Sequence, residues 1–128
     1  MARDPVIDSL ELKLVDCDAG QVTLALDVAR EHLNFNGTCH GGLVFTLADT
    51  AFGLAANSHG IVAPGISANI AYHAPAAAGR RLTAVARETA RSKRLASYAV
   101  EVRRDDGGLV ASFTGTVYIT TDRHEADS

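Results

Sequence analysis

Between Leu43 and Ala56 the chain carries more apolar residues than one face of a helix can hold. Leu43, Val44, Phe45, Leu47, Ala48, Ala51, Phe52, Leu54, Ala55 and Ala56 cover almost the whole circumference at 3.6 residues per turn. Such a helix is expected only where protein surrounds it, so the rest of the chain has to supply the enclosure. One acidic residue, Asp49, interrupts the stretch.

The flanking sequence reads as strands. Ser9 to Val15 alternates Leu10, Leu12 and Leu14 with Glu11 and Lys13, the period of a half-buried strand. Residues 16–20 supply a turn, and Gln21 to Val28 repeats the alternation, which makes a hairpin. Arg30 to Thr38 has the Asn and Gly content of a loop leading into the helix, and Gly60 suits its C-terminal cap. Strands follow over Ile66–Ala74, Arg81–Thr89, Leu95–Arg103 and Leu109–Thr120, with Asp105-Asp106-Gly107-Gly108 as a hairpin turn between the last two. The order predicts an α+β fold in which a curved antiparallel sheet of about five or six strands wraps one long helix. The 128 residues fit one domain, with residues 1–8 and 122–128 as loosely held ends. A sheet that wraps one helix leaves an edge and part of the helix uncovered, a reason to expect self-association.

Composition removes several classes of function. A net charge of −3 argues against sequence-independent binding to nucleic acid. No run of about 18 uninterrupted apolar residues is present and the first residues lack a secretory h-region, so the expected location is cytoplasmic, off the membrane. Cys17 and Cys39 lack CxxC spacing, and His32, His59, His73 and His124 lack the spacing of metal ligands, so no metal is expected.

Chemistry concentrates in Asn34 to Gly60. Gly41 and Gly42 stand where the helix begins, so their backbone N–H groups lack intrahelical partners and no side chain blocks a ligand oxygen. Asp49 is the only acidic residue between Glu31 and Glu88, placed among Phe45, Thr46, Phe52 and Gly53 where a carboxylate would be desolvated. A hydrogen-bonded buried acid and a catalytic one fit these residues about equally. Glycine and acid lie about 12 Å apart along a straight helix, too far to meet at one carbon.

The string HGGLVFTLADTAFGLAANS resembles the signature of hot-dog-fold acyl-CoA thioesterases, most closely the group of phenylacetic acid degradation. The resemblance implies a helix wrapped in a curved sheet, homodimers that double into homotetramers, and hydrolysis of medium-chain or aryl-acetyl CoA with no cofactor beyond the coenzyme A of the substrate. It implies that each site takes its glycine from one subunit and its acid from the other. On that pattern Gly41 donates to the thioester carbonyl, Asp49 is general base or nucleophile, Asn34 orients substrate or water, and His40 holds the loop or the thioester. Substrate contacts are assigned to Gly42, Phe45, Thr50, Asn57 and Tyr72. Arg91, Lys93 and Arg94 are the candidates for the coenzyme A phosphates by charge; a solvated turn is the plain alternative. The sequence departs from the pattern at Ala74, where many relatives carry a basic residue, and at Ser92-Lys93-Arg94, where a Gly-Lys step is usual. Two other readings use the same fold: an acyl-CoA sensor without catalysis, and a dehydratase or hydratase acting on acyl thioesters.

Overall fold

The structure, a computed structural model, describes residues 4–125. A short helix α1 (Pro5–Ser9) precedes the strands β1 (Lys13–Asp18) and β2 (Gln21–Asp27), a 3-10 turn at Arg30–His32, and the central helix α2 (Gly41–Asn57). Four strands complete it: β3 (Gly65–Tyr72), β4 (Arg81–Arg91), β5 (Leu95–Arg104) and β6 (Leu109–Tyr118). They form one antiparallel sheet in the order β1-β2-β4-β5-β6-β3, with α2 packed against one face.

Strand alternation builds the floor under α2. Val22, Leu24 and Leu26 of β2, Leu82, Ala84 and Ala86 of β4, and Tyr98, Val100 and Val102 of β5 all point into the core. From α2, Val44, Leu47, Ala48, Ala51 and Ala55 meet them. Alanines on the helix and on β4 let the two backbones approach closely. Phe52 is the large exception, and the sheet makes room for its ring with glycine. A Cβ placed on Gly115 would lie 2.7 Å from the tip of that ring, and one on Gly65 would lie 3.1 Å from its edge. Phe52 also stacks obliquely on Phe113 and meets Tyr98 edge-on, at centroid distances of 5.4 and 5.8 Å. Burial of such a ring contributes about 1.5–3 kcal/mol.

Several expectations are corrected. The lead expected to be loosely held contains α1: the Asp4 side chain accepts from the Val6 N–H at 2.9 Å, Pro5 sits at the first turn, and Ile7 and Leu10 pack on the core. Glu11 then takes a left-handed conformation (φ 55°), which breaks the extended run anticipated from Ser9. Strand β1 therefore starts later and absorbs Asp16, Cys17 and Asp18, leaving the turn to Ala19 and Gly20. At the other end, Arg123 bridges to Ile61 and the His124 N–H donates to the Gly60 carbonyl, so the chain stays bonded past Asp122. Residues 126–128 lie outside the described residues.

The helix is also less enclosed than its composition predicts. Gly42 and Asp49 are exposed and Thr46 and Gly53 half-buried, on the side opposite Val44, Ala51 and Ala55. Both sheet edges are open: β1 is exposed throughout, and along β3 only Ile70 is even partly covered. No helix among the described residues is long and apolar enough to cross a membrane.

The glycine floor under Phe52 generates a prediction. Gly115→Ala overpacks a closed site and lowers stability by about 1–3 kcal/mol in urea unfolding. Phe52→Leu in the same chain recovers part of that loss, and a neutral Gly115→Ala would contradict the packing.

Candidate active site

The loop into α2 is a small, internally bonded structure. Leu33 and Cys39 form a β-bridge that closes a turn, and the Asn34 Oδ1 fills it by accepting from the Asn36 and Thr38 N–H groups at 2.9 and 3.2 Å. The amide nitrogen of Asn34 keeps no partner among the described residues. The Cys39 N–H donates to the Ala76 carbonyl at 2.7 Å and the His40 N–H to the His32 carbonyl at 2.8 Å, which fix where the helix starts.

At the helix entry the two glycines are treated differently. His40 is the N-cap, and its Nδ1 accepts from the Gly42 N–H at 3.1 Å. That uses the Gly42 donor internally and gives His40 a task in holding the loop. The Gly41 N–H has no partner among the described residues. The Tyr72 hydroxyl, from the end of β3, donates to the Gly41 carbonyl at 2.8 Å. Gly41, Asn34, Val44, Tyr72, Cys39 and Ala76 border one open cleft of about 340 Å³. A free backbone donor at a helix N-terminus and a free side-chain amide thus border the same cavity, a fitting place for charge that develops on oxygen. Cys39, His73 and Ala76, which also line the cleft, were not assigned to a site from sequence. Burial pushes the Cys39 thiol pKa up, so the sulfur is a protonated wall at neutral pH.

Asp49 faces outward. It is exposed in the single chain, which corrects the expectation of a buried acid, and it has no hydrogen bond or ion pair among the described residues. The surrounding protein still desolvates it enough to raise its pKa, and repulsion from Asp4 adds to the rise. Asp49 follows Gly41 by eight residues of unbroken helix, so the two are about 12 Å apart along the axis.

The remaining candidates do not gather at the cleft. Phe45 packs edge-on against Phe113 at 5.6 Å, and Thr50 is buried within the protomer at 8 % exposure. Asn57, expected as a substrate contact, is engaged internally: its Nδ2 donates to the Gly53 and Ala63 carbonyls, and its Oδ1 serves the Ala63 N–H and His124. Arg91, Lys93 and Arg94 lie at the β4–β5 hairpin, on the side of the C-terminal end of α2, where Glu88 binds His59, Arg91 and buried Tyr98 at 3.2, 3.0 and 2.8 Å. Arg94 donates to the Ile119 carbonyl, while Lys93 is unpaired among the described residues. One chain therefore sets these cations at the opposite end of α2 from Gly41.

The family model of the thioesterase superfamily matches residues 36–111, from the entry loop into β6. The chain belongs to the thioesterase superfamily. Among relatives of this thioesterase, acyl-coenzyme A thioesterase PaaI of Escherichia coli is 34 % identical over 88 % of the chain and 81 % of the relative. The solved E. coli PaaI structure superposes with a TM-score of 0.91, covering 94 % of this chain and 87 % of that one at 32 % identity. A variant of the phenylacetic acid degradation protein PaaI from Thermus thermophilus gives 0.86 at 43 % identity, covering 90 % and 98 %. A Streptococcus pneumoniae thioesterase protein solved with coenzyme A gives 0.86 at 25 % identity, covering 92 % and 93 %. The α+β hot-dog architecture expected from sequence, one long helix against an antiparallel sheet, is that of these neighbours.

The raised pKa of Asp49 has a thermodynamic sign. A carboxyl whose folded pKa exceeds its unfolded value adds stability below the unfolded pKa of about 4, and that contribution is lost as pH rises through the folded pKa. Asp49→Asn in this thioesterase is accordingly at least as stable as wild type at pH 7, and its relative advantage shrinks on acidification toward pH 4. Thermal melting across that range checks the sign; an Asn variant clearly less stable at pH 7 would contradict it.

Proposed function

We propose that this protein hydrolyses acyl-coenzyme A thioesters, of the medium-chain or aryl-acetyl class, at sites shared by two protomers of a cytoplasmic homodimer that pairs again into a homotetramer. The observation that carries this reading is the Gly41 N–H: an unpartnered donor at the start of α2, beside the free Asn34 amide, in a cleft open to solvent. Charge on a thioester oxygen held there is stabilised by the amide and by the helix dipole, and losing one such donor typically costs about 3 kcal/mol at the transition state.

The reaction also needs a carboxylate at the carbonyl carbon, and on a rigid helix the acid of the same chain is out of reach. The exposed outer face of α2 and the open edge of β3 supply surfaces for a second copy, whose Asp49 then faces the Gly41 cleft. As general base, Asp49 takes a proton from water as the oxygen adds to the carbonyl carbon. Collapse breaks the carbon–sulfur bond, and the proton passes to the departing coenzyme A thiolate. As nucleophile, the carboxylate adds directly, expels the thiolate, and water opens the resulting anhydride. Both routes use the same donor and the same acid. In such a dimer, Arg91, Lys93 and Arg94 of the other chain are the cations for the coenzyme A phosphates.

Thiol release from a panel of acyl-coenzyme A substrates tests this. Asp49→Ala lowers kcat by between about 100- and 10,000-fold while the protein stays folded. Turnover at the wild-type rate would remove Asp49 from the mechanism, and no release from any substrate with wild type would favour a sensor. Light scattering after size exclusion reads a dimer or larger; a monomer that is active at high dilution contradicts the shared site.

A further inference from the structure

The first turn of α2 is the part of the helix with the least intrinsic order. Gly41 and Gly42 follow one another there, and each loses more conformational freedom on folding than any other residue type. A catalytic hydrogen bond from this turn is useful only if the donor is fixed before substrate arrives, because a displacement of about 1 Å costs roughly 100-fold in rate. The peptide plane that carries the Gly41 N–H is held through the His40 carbonyl, which accepts from the Leu43 and Val44 N–H groups at 2.9 and 3.2 Å, and two further contacts hold the adjoining Gly41–Gly42 plane. His40 Nδ1 accepts from the Gly42 N–H at 3.1 Å, and the Tyr72 hydroxyl donates to the Gly41 carbonyl at 2.8 Å. Of the polar groups over Gly41 N, Gly41 O and Gly42 N, only the first is left for a ligand.

Tyr72 does this from an unusual place. It ends the edge strand β3, is 53 % exposed, and its ring lies against Gly41 at ordinary contact distance, with Cζ 3.4 Å from where a Cβ would stand. An exposed tyrosine on a sheet edge usually keeps its hydroxyl in water. Here the hydroxyl turns inward to a backbone carbonyl on a different element. Burial raises its pKa further above the ordinary tyrosine value, so it remains an O–H donor at neutral pH.

We infer that Tyr72 is a positioning residue: through its hydroxyl on the Gly41 carbonyl it holds the first turn of α2 so that the Gly41 N–H points into the cleft. The inference rests on the proposed role of Gly41. It assigns Tyr72 a task on the backbone of its own chain, distinct from the substrate contact expected from sequence.

Tyr72→Phe keeps the ring and removes only the donor. Acyl-coenzyme A kinetics then show kcat reduced by about 10- to 100-fold with KM within about twofold of wild type, because the bond acts on the donor's alignment in the transition state. The melting temperature stays within a few degrees, since the lost bond is exposed to solvent. A kcat within about twofold of wild type overturns the inference. So does a raised KM at unchanged kcat, which makes Tyr72 a substrate contact. So does a fall in kcat that merely follows lost folded protein. An arm independent of activity is amide hydrogen exchange of the full chain by NMR, where Gly42 exchanges at least about fivefold faster in Tyr72→Phe. Unchanged exchange at Gly42 overturns the pin whatever the kinetics. Absence of thiol release from wild type defeats the proposed function alone, and the exchange arm still decides this point.

Discussion

The seat of Phe52 on its glycine floor fixes the roll of the central helix, and with it the direction of every other side chain on α2. The ring fills space that Gly115 and Gly65 leave free and is held on its flank by Phe113 and Tyr98. With that residue set, the alanine face lies on the sheet and Asp49 is carried to the outside. A helix turned by a single residue, about 100°, would bury the carboxylate and expose the core. Geometry at the candidate site is thus inherited from packing well inside the molecule.

The two ends of the candidate site are built from opposite kinds of constraint. Around Gly41 the protein is rigid: an Asn-filled turn, a histidine cap, a tie from Cys39 to Ala76 and a tyrosine on the carbonyl. Around Asp49 it is open, with no partner for the acid among the described residues and a pKa raised by neighbouring protein and by Asp4. A fixed donor and an unpaired acid on the same rod cannot meet, so the helix that supplies both also keeps them apart within one chain.

Much of this was legible in the residues. The period of two in Gln21–Val28, Arg81–Thr89 and Leu95–Arg103, and the strand-forming residues of Leu109–Thr120, located four of the six strands closely, because each has one face in the core. Strand β1 was displaced for the opposite reason: it is exposed throughout and keeps only Leu14 of the three leucines read as a strand, while Leu10 and Leu12 pack on the core ahead of it and a left-handed Glu11 breaks the apparent run. The glycine pair could be read as a donor site from its place before an apolar run. That one of its two N–H groups is already taken by His40 depends on a rotamer, which no spacing encodes. The internal bonds of Asn57 were hidden similarly, since they reach Ala63 and His124, partners set by tertiary folding. The exposure of Asp49 was hidden because an apolar count does not say which face its own chain covers.

The order of strands in the sheet carries a consequence for how the protein matures. Among the described residues strand β3 pairs only with β6, which is made after it and after β4 and β5, although β3 itself leaves the ribosome soon after the central helix. Tyr72 can therefore take its place beside Gly41 only after β6 has been made. Until then an emerging polypeptide carries the helix and its glycines without the strand that finishes the cleft.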